Sequence, residues 1–251
     1  MTSRRDFLAA TLAAASLAAL PASAARRVRK PVERKPGDPL SILVMGGTGF
    51  LGPHFVEAAR AKGHKLRLFN RGKTNPERFA DDQYEDIEQL HGDRKTDLRA
   101  LEGRRNWDAV LDTSAYIPAD VTRSTQLLAD RVGQYLLVST ISVYAKMDVP
   151  NQDETAPLIA LANPNVTDVT GDTYGGLKAL CEKAAEAVMP GKVTVVRPGL
   201  IVGPGDNTDR FTYWPARADR GGEILAPGSA VDPTQFIVVR HLAAFLVHLL
   251  H

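Results

Sequence analysis

The stretch that decides the fold is Ile42-Leu43-Val44-Met45-Gly46-Gly47-Thr48-Gly49-Phe50-Leu51-Gly52, in which an aliphatic run passes directly into a glycine-rich loop. Gly46, Gly49 and Gly52 have Gly-x-x-Gly-x-x-Gly spacing. Such a loop must turn sharply out of the strand, bring its backbone close to a pyrophosphate and start a helix. Side chains at these positions would obstruct it, so glycines are needed. A glycine-rich loop alone often marks only a turn, but strand, loop, helix and second strand follow within about 30 residues. We therefore predict that all seven residues 46–52 bind a dinucleotide.

Outward from this loop, short aliphatic runs alternate with helical patterns. The predicted strands are Ile42 to Met45, Lys65 to Phe69, Ile87 to Leu90, Ala109 to Asp112, Tyr135 to Ser139 and Val193 to Arg197. The predicted helices run from near Pro53 to Gly63 and from about Thr173 to Met189, where Pro190-Gly191 follows. This alternation predicts an α/β fold, a Rossmann-type doubly wound parallel sheet.

Composition excludes several classes of function. The 251 residues are 44% hydrophobic and 24% charged, and 31 basic against 29 acidic side chains give a formal net charge of +2. Phosphate-backbone binding normally needs a larger basic excess, so no nucleic-acid partner is expected. The single cysteine, Cys181, cannot form an internal disulfide, and no Cys/His cluster has zinc-ligand spacing, so no metal is expected.

The N-terminus has the pattern of an export signal over residues 1–24. Arg4-Arg5 precede the apolar run Ala9 to Leu20, and the small-x-small site Ala22-Ser23-Ala24 follows. The run is shorter than the roughly 20 residues that span a bilayer, so no stable membrane span is expected in the mature protein. Ser3 to Leu8 resembles a bacterial twin-arginine signal, which implies cytoplasmic folding followed by export to the periplasm. An ordinary basic signal region and an uncleaved anchor are the alternatives. Residues 25–39, rich in Arg, Lys and Pro, are predicted to form an exposed linker.

Residues after the second and third predicted strands bear on the choice of cofactor. NAD-specific sites usually carry an acidic residue after the second strand, but this chain has Asn70 and Arg71 there. Arg71 would neutralise a 2′-phosphate, which slightly favours NADP, whereas a solvent-facing Arg in a turn is the alternative. Asp93 is a candidate for the adenine edge or a loop-capping residue. Thr113 follows the fourth strand at the edge where ligands bind in such folds.

Four ordered blocks resemble the extended branch of the short-chain dehydrogenase/reductase superfamily, the NAD-dependent epimerase/dehydratase family. They are the glycine loop, Ser139-Thr140-Ile141-Ser142-Val143-Tyr144, Tyr174-Gly175-Gly176-Leu177-Lys178, and Arg197-Pro198-Gly199-Leu200-Ile201-Val202-Gly203-Pro204. The resemblance runs from about Ser41 to the last residue. It implies an NAD(P)-binding Rossmann domain over residues 40–202 and a substrate-binding region over residues 203–251.

Tyr174 and Lys178 are four apart on a predicted helix, so both side chains project from one face. An ammonium beside a phenol lowers the tyrosine pKa from about 10, so that it can exchange a proton with a substrate oxygen. The resemblance implies that Tyr174 is the acid/base and that Lys178 holds the nicotinamide ribose. It also places a hydroxyl at Thr140 that would bind the reacting oxygen, with Ser139 and Ser142 as alternatives. Gly175 and Gly176 are expected to allow a close approach of the backbone to the cofactor.

Family members usually continue further, whereas this chain stops at His251 inside the apolar pattern Leu242 to Leu250, so the substrate region is expected to be truncated. Candidate substrate contacts are Arg210, Tyr213, Trp214 and Arg217.

The leading interpretation is an NAD(P)-dependent oxidoreductase or epimerase/dehydratase that acts on a sugar-like or alcohol substrate. The alternative is a noncatalytic dinucleotide-binding or nucleic-acid-associated protein on the same fold, including an inactive truncated member. The sequence leaves open whether the protein forms a homo-oligomer.

Overall fold

The computed structural model describes residues 37–103, 105–229, 231–232 and 234–250. The predicted signal at residues 1–24 lies outside the described residues, as does the predicted linker except for its last three residues. Within the described ranges, no helix combines the length and the apolar character needed to cross a membrane. The predicted domain boundaries remain predictions.

The elements alternate along the chain. The strands are β1 (Ser41–Met45), β2 (Lys65–Asn70), β3 (Glu88–His91), β4 (Trp107–Asp112), β5 (Val132–Val138), β6 (Val193–Val196), β7 (Leu200–Val202) and β8 (Phe236–Val238). The helices are α1 (Leu51–Ala61), α2 (Pro118–Leu128), α3 (Gly171–Val188), α4 (Tyr213–Asp219) and α5 (Val239–His248). All six predicted strands and both predicted helices are present, with boundaries that differ by a few residues.

Six of these strands form one parallel sheet in the order β3-β2-β1-β4-β5-β6. The register pairs Met45 of β1 with both Phe69 and Asp112, so the carboxyl ends of β1, β2 and β4 meet at one edge. The strand order reverses next to β1, which opens a crevice at that edge. This arrangement confirms the predicted Rossmann-type doubly wound sheet.

The helices cover both faces of the sheet, because consecutive residues of a strand point to opposite faces. Ile42 and Val44 of β1 belong to one core with residues of α1 and α5, whereas Leu43 and Met45 belong to a second core with residues of α2 and α3. A strand buried on both faces needs an uninterrupted apolar run, and β1 has one.

The sequence did not predict α2, α4 or the parallel pair of β7 and β8, whose register joins Ile201 to Ile237. Each strand of this pair has three residues, too few for an alternating pattern to be recognised. Helix α2 begins at Pro118, which is suited to the first helical turn.

Candidate active site

A cavity of about 590 Å³ opens at the carboxyl ends of β1, β2 and β4, within the size range of ligand pockets. It brings together residues that lie up to 155 positions apart in the chain, from Gly46 to Ile201. The predicted site residues that line it are Gly46, Thr48, Gly49, Phe50, Leu51, Asn70, Arg71, Asp93, Thr113, Tyr174 and Lys178. Gly47, Gly52 and Thr140 are not part of this lining, and neither are Arg210, Tyr213, Trp214 and Arg217.

Gly46 makes the turn out of β1. Its φ of +90° is unfavourable for residues with a side chain, and a Cβ atom there would lie 2.5 Å from the Thr113 hydroxyl oxygen. That hydroxyl donates to the carbonyl oxygens of Met45 and Gly46, at 3.0 and 3.1 Å. Thr113 therefore holds the glycine loop against β4, in addition to lining the cavity.

The other glycines of the loop have different functions. Gly49 has open space around its Cβ position, with the Gly46 carbonyl oxygen 3.9 Å away. A Cβ on Gly52 would overlap the Gly47 carbonyl, and one on Gly47 would lie 2.8 Å from Leu68 Cδ2. Gly47 and Gly52 therefore permit close packing within the loop and against β2. That all seven loop residues bind the dinucleotide stays a prediction.

At the β2 and β3 end of the cavity, Asn70 accepts a hydrogen bond of 3.0 Å from the Gly72 amide, which closes the turn. Arg71 is exposed beside it and lines the cavity. Asp93 Oδ1 accepts a hydrogen bond of 2.8 Å from the Lys95 amide. Asp93 therefore caps its own loop and also lines the cavity, so both interpretations of this residue stand.

The start of α3 positions Tyr174. Thr170 and Thr173 form a reciprocal capping box, in which the Thr170 amide donates to the Thr173 hydroxyl at 2.9 Å. The Tyr174 amide donates to the Thr170 carbonyl at 2.9 Å. This cap fixes the first helical turn and with it the direction of the Tyr174 side chain.

Gly175 and Gly176 permit close packing of α3 within the protein. A Cβ on Gly175 would overlap the carbonyl of Ser142, and one on Gly176 would overlap the Leu161 side chain. The expectation that these glycines admit the cofactor is wrong, because protein atoms already occupy that space.

Lys178, one turn after Tyr174, is buried, with 2% of the residue exposed. Its ammonium donates hydrogen bonds of 2.7 Å to the carbonyl oxygens of Ala115 and Val138. Burial lowers the pKa of Lys178, and the negative charge of Asp112 opposes that shift. Lys178 is thus fixed to the ends of β4 and β5.

Burial raises the pKa of Tyr174, whereas a hydrogen bond with the Thr140 hydroxyl and the charge of Arg210 act to lower it. The expected lowering by Lys178 is therefore wrong. The Lys178 ammonium is held by backbone carbonyls, and the hydroxyl of Thr140 is the nearby polar partner. At neutral pH the phenol keeps its proton.

Thr140 caps the 3-10 turn Ile141–Val143 at the end of β5. Its hydroxyl oxygen accepts from the Ser142 amide and its hydroxyl donates to Ser142 Oγ, both at 3.2 Å. The competing Ser139 lines the cavity, and its hydroxyl donates to the Glu182 carboxylate. Of the three hydroxyls considered, Thr140 is the one that acts on the pKa of Tyr174.

Sequence reasoning missed a buried polar network beside the cavity. Arg94 forms an ion pair of 2.9 Å with Asp112, and Tyr135 donates a hydrogen bond of 2.5 Å to the same carboxylate. Burial by itself would raise the pKa of Asp112, but the charge and hydrogen bonds of its partners lower it. Asp112, an acidic residue at the end of an apolar strand, is the sequence feature that could have revealed this network.

A second ion pair lies behind Ser139. Glu182, one turn after Lys178 on α3, binds Arg197 at 2.7 Å. Arg197 also donates to the Tyr144 hydroxyl at 3.1 Å and lies over its ring, 5.0 Å from the centroid. Tyr144 thus packs against Arg197 and anchors it through a hydrogen bond.

Among the described residues, no group of three or more His, Cys, Asp or Glu side chains comes together to hold a metal ion.

The chain matches the family model of the NAD-dependent epimerase/dehydratase family over residues 42–251. The chain belongs to this family. The epimerase/dehydratase match begins at β1 and includes every residue that lines the cavity.

Known proteins similar to this epimerase/dehydratase family member include the epimerase family protein SDR39U1 of Bos taurus, 27% identical over 84% of this chain and 70% of the relative. The chloroplast stem-loop binding protein of 41 kDa b of Arabidopsis thaliana is 27% identical over 83% of this chain and 54% of its own length. A solved structure of dTDP-glucose 4,6-dehydratase from Bacillus anthracis, in complex with NAD, is also similar, with a TM-score of 0.64 and 16% sequence identity. The similarity covers 84% of this chain and 72% of the dehydratase chain. The structural similarity supports the fold.

Proposed function

We propose that this chain is an NAD(P)-dependent oxidoreductase, epimerase or dehydratase that acts on an alcohol or carbonyl group of a small, sugar-like or other alcohol substrate. The observation that carries this proposal is the shared cavity, which Tyr174 and Lys178 line together with the glycine loop. Tyr174 is the proposed acid/base, Lys178 the proposed holder of the nicotinamide ribose, and Thr140 the proposed partner of the phenol.

The residues around the loop fit a dinucleotide. Gly46 turns the backbone in the left-handed region and Gly49 leaves open space. Helix α1 starts without a side-chain hydrogen bond at its cap residue Phe50, which leaves its first amides for an anion. When bound, the nicotinamide supplies or accepts a hydride.

The side chains of this protein supply the proton transfer and the positioning. The phenol of Tyr174 is protonated at neutral pH and can donate its proton to a carbonyl oxygen that is being reduced. The Lys178 ammonium has three N–H donors, and two of them bind Ala115 and Val138. In the proposed function, the third donor binds a ribose hydroxyl.

The deciding experiment compares the natural chain with Tyr174→Phe. NAD⁺ binding, measured by calorimetry, is expected to be unchanged, because the phenol hydroxyl is not part of the loop. Turnover across a panel of sugars, alcohols and ketones is expected to fall by about 100-fold or more. Unchanged turnover would refute the assignment of Tyr174, and a lack of binding of both NAD⁺ and NADP⁺ would refute the function as a whole.

We also propose a preference for NADP, based on Arg71 at the cavity edge and the absence of an acidic residue at the end of β2. The variant Arg71→Ala is expected to weaken NADP⁺ binding by about tenfold or more, since it removes a charge-assisted hydrogen bond. NAD⁺ affinity serves as the control and is expected to change little. Equal losses of affinity for NAD⁺ and NADP⁺ would refute the hypothesis that Arg71 binds the 2′-phosphate.

A second candidate function is nucleic-acid binding, favoured by the stem-loop binding protein among the relatives. The formal net charge of +2 argues against it, because phosphate backbones attract strongly basic surfaces. A gel-shift titration with a stem-loop RNA at two salt concentrations would distinguish the candidates. Salt-dependent RNA binding without any turnover of the substrate panel would favour the second.

The site of action is proposed to be the periplasm, on the basis of the twin-arginine pattern at Arg4-Arg5. Replacing both arginines by lysine is expected to retain the protein in the cytoplasm, as followed by cell fractionation. Unchanged export would contradict the twin-arginine route.

A further inference from the structure

Two exposed apolar side chains, Tyr116 and Val169, form an apolar wall of the cavity. Both residues line the cavity, and both are 46% exposed. Tyr116 follows directly on Ala115, whose carbonyl holds Lys178. Large apolar side chains that stay exposed within a concave site mark a contact surface for a ligand.

The wall stands next to the proposed proton donor. The Tyr116 and Tyr174 ring centroids are 6.4 Å apart, with an angle of 38° between the ring planes. The Lys178 ammonium lies 5.4 Å from the Tyr116 ring centroid, a cation–π distance that holds the ring in place. A substrate oxygen at the Tyr174 phenol would therefore bring the adjoining carbon atoms against the Tyr116 ring.

Charged side chains concentrate at the opposite end of the cavity. Arg71, Asp93 and Lys95 line it where β2 and β3 end, beyond β1 in the sheet order. Arg94 also lines the cavity, but its guanidinium reaches Asp112 and Ser114 at the end of β4. Toward Tyr174, Lys178 is occupied by two carbonyls, and Asp120 of α2, which lines the cavity, pairs with Arg123. Arg210, whose charge reaches Tyr174, is not part of the lining. The charged side chains at the β2 and β3 end thus suit a phosphorylated cofactor, whereas the charged groups nearer Tyr174 already have partners within the protein.

We propose that Tyr116 and Val169 determine specificity, and that the substrate is a ketone, or the corresponding secondary alcohol, with an aromatic or alkyl body rather than a nucleotide sugar. This inference rests on the proposed function, because it needs Tyr174 as the proton donor. In the reduction, the carbonyl carbon receives a hydride from NAD(P)H and the carbonyl oxygen receives the Tyr174 proton. Tyr174 would regain its proton from the solvent, so each turnover consumes one ketone, one NAD(P)H and one H⁺ and yields the alcohol and NAD(P)⁺.

The experiment uses the full chain with NADH or NADPH and three probes: acetophenone, 2-octanone and UDP-glucose, the last assayed with NAD⁺ or NADP⁺. We expect turnover of at least one ketone and none of UDP-glucose. Tyr116→Ala is expected to lower kcat/KM for the ketone by about tenfold or more, mainly through KM, whereas Tyr116→Phe keeps the ring and most of the activity.

A matched pair of valines controls for effects on folding. Val169 and Val149 are 46% and 45% exposed, but only Val169 lines the cavity. Val169→Ala is expected to raise KM for the ketone several-fold, and Val149→Ala is expected to leave it unchanged. Both positions are exposed, so both variants are expected to fold.

The outcomes separate this inference from the proposed function. Turnover of UDP-glucose that requires Tyr174 but not Tyr116 would overturn the substrate class and leave the function intact. The absence of turnover of both ketones, or equal effects of Val169→Ala and Val149→Ala, would also overturn the inference. A lack of binding of both NAD⁺ and NADP⁺ would refute the proposed function, and the inference with it.

Discussion

Arg94 and Asp112 form an ion pair of 2.9 Å beside the cavity, and both side chains are largely withdrawn from solvent. Arg94 lies in the loop after β3 and Asp112 ends β4, two strands that are separated in the sheet by β2 and β1. Arg94 also donates to Ser114 and Ser124, at 3.2 and 2.9 Å. The pair therefore links the loop after β3, β4 and α2 beneath the ligand cavity.

Removing one partner of this pair is expected to destabilise the fold strongly. Asp112→Asn leaves the Arg94 guanidinium buried without its counter-ion, so we expect a loss of about 3–5 kcal/mol in the free energy of unfolding. Urea denaturation followed by circular dichroism measures it. Asp86→Asn is the control, because Asp86 pairs with Arg60 at the same 2.9 Å but at the surface, and about 0–1 kcal/mol is expected.

The sign of the pH dependence follows from the lowered pKa of Asp112. Its charged form stabilises the fold above the pKa of the unfolded chain, about 3.9, and this stabilisation is lost as pH falls through the lower folded pKa. The difference between the natural chain and Asp112→Asn should therefore shrink in strong acid. A difference that stayed constant down to the lowest pH studied would contradict the assignment.

Thr140 is expected to tune the acidity of Tyr174. Thr140→Val removes a hydrogen bond that lowers the pKa of Tyr174, so the pKa should rise further above the ordinary value of about 10. Ultraviolet titration of the phenolate, with Tyr174→Phe subtracted, measures the shift, and Thr140→Ser should restore the natural value. A downward shift in Thr140→Val would show that Thr140 does not stabilise the phenolate.

The two glycines after Tyr174 are expected to resist substitution for steric reasons. Gly175→Ala places a methyl group on the carbonyl of Ser142, and overpacking of this kind costs about 1–3 kcal/mol. Gly171→Ala, at the start of the same helix, meets no atom within 4 Å and should be neutral or slightly stabilising. Thermal unfolding of the two variants tests this, and equal Tm values would show that α3 does not pack closely at Gly175.

Cys181 is expected to be inert in the folded protein. Burial raises the pKa of its thiol to about 12, so almost no reactive thiolate exists at mildly alkaline pH. A maleimide should label the chain only after unfolding in urea, and the single cysteine makes the readout unambiguous. Rapid labelling under native conditions would mean that the core around α3 opens readily.

The sequence by itself determined the alternation of strands and helices, the glycine loop, and the placement of Tyr174 and Lys178 on one helical face. These features are local: a buried strand needs a continuous apolar run, a tight turn needs glycine, and positions four apart on a helix share a face. The short strands β7 and β8 were not predicted, because three residues are too few to show an alternating hydrophobic pattern.

Only the tertiary structure decided what these side chains contact. Lys178 was expected to act on Tyr174, but the carbonyls of Ala115 and Val138, 63 and 40 positions away, hold its ammonium. Tyr116 lies in the site because the parallel sheet brings the end of β4 beside the start of α3. Spacing along a helix fixes a direction, whereas the partners found in that direction depend on segments that meet only when the sheet is assembled.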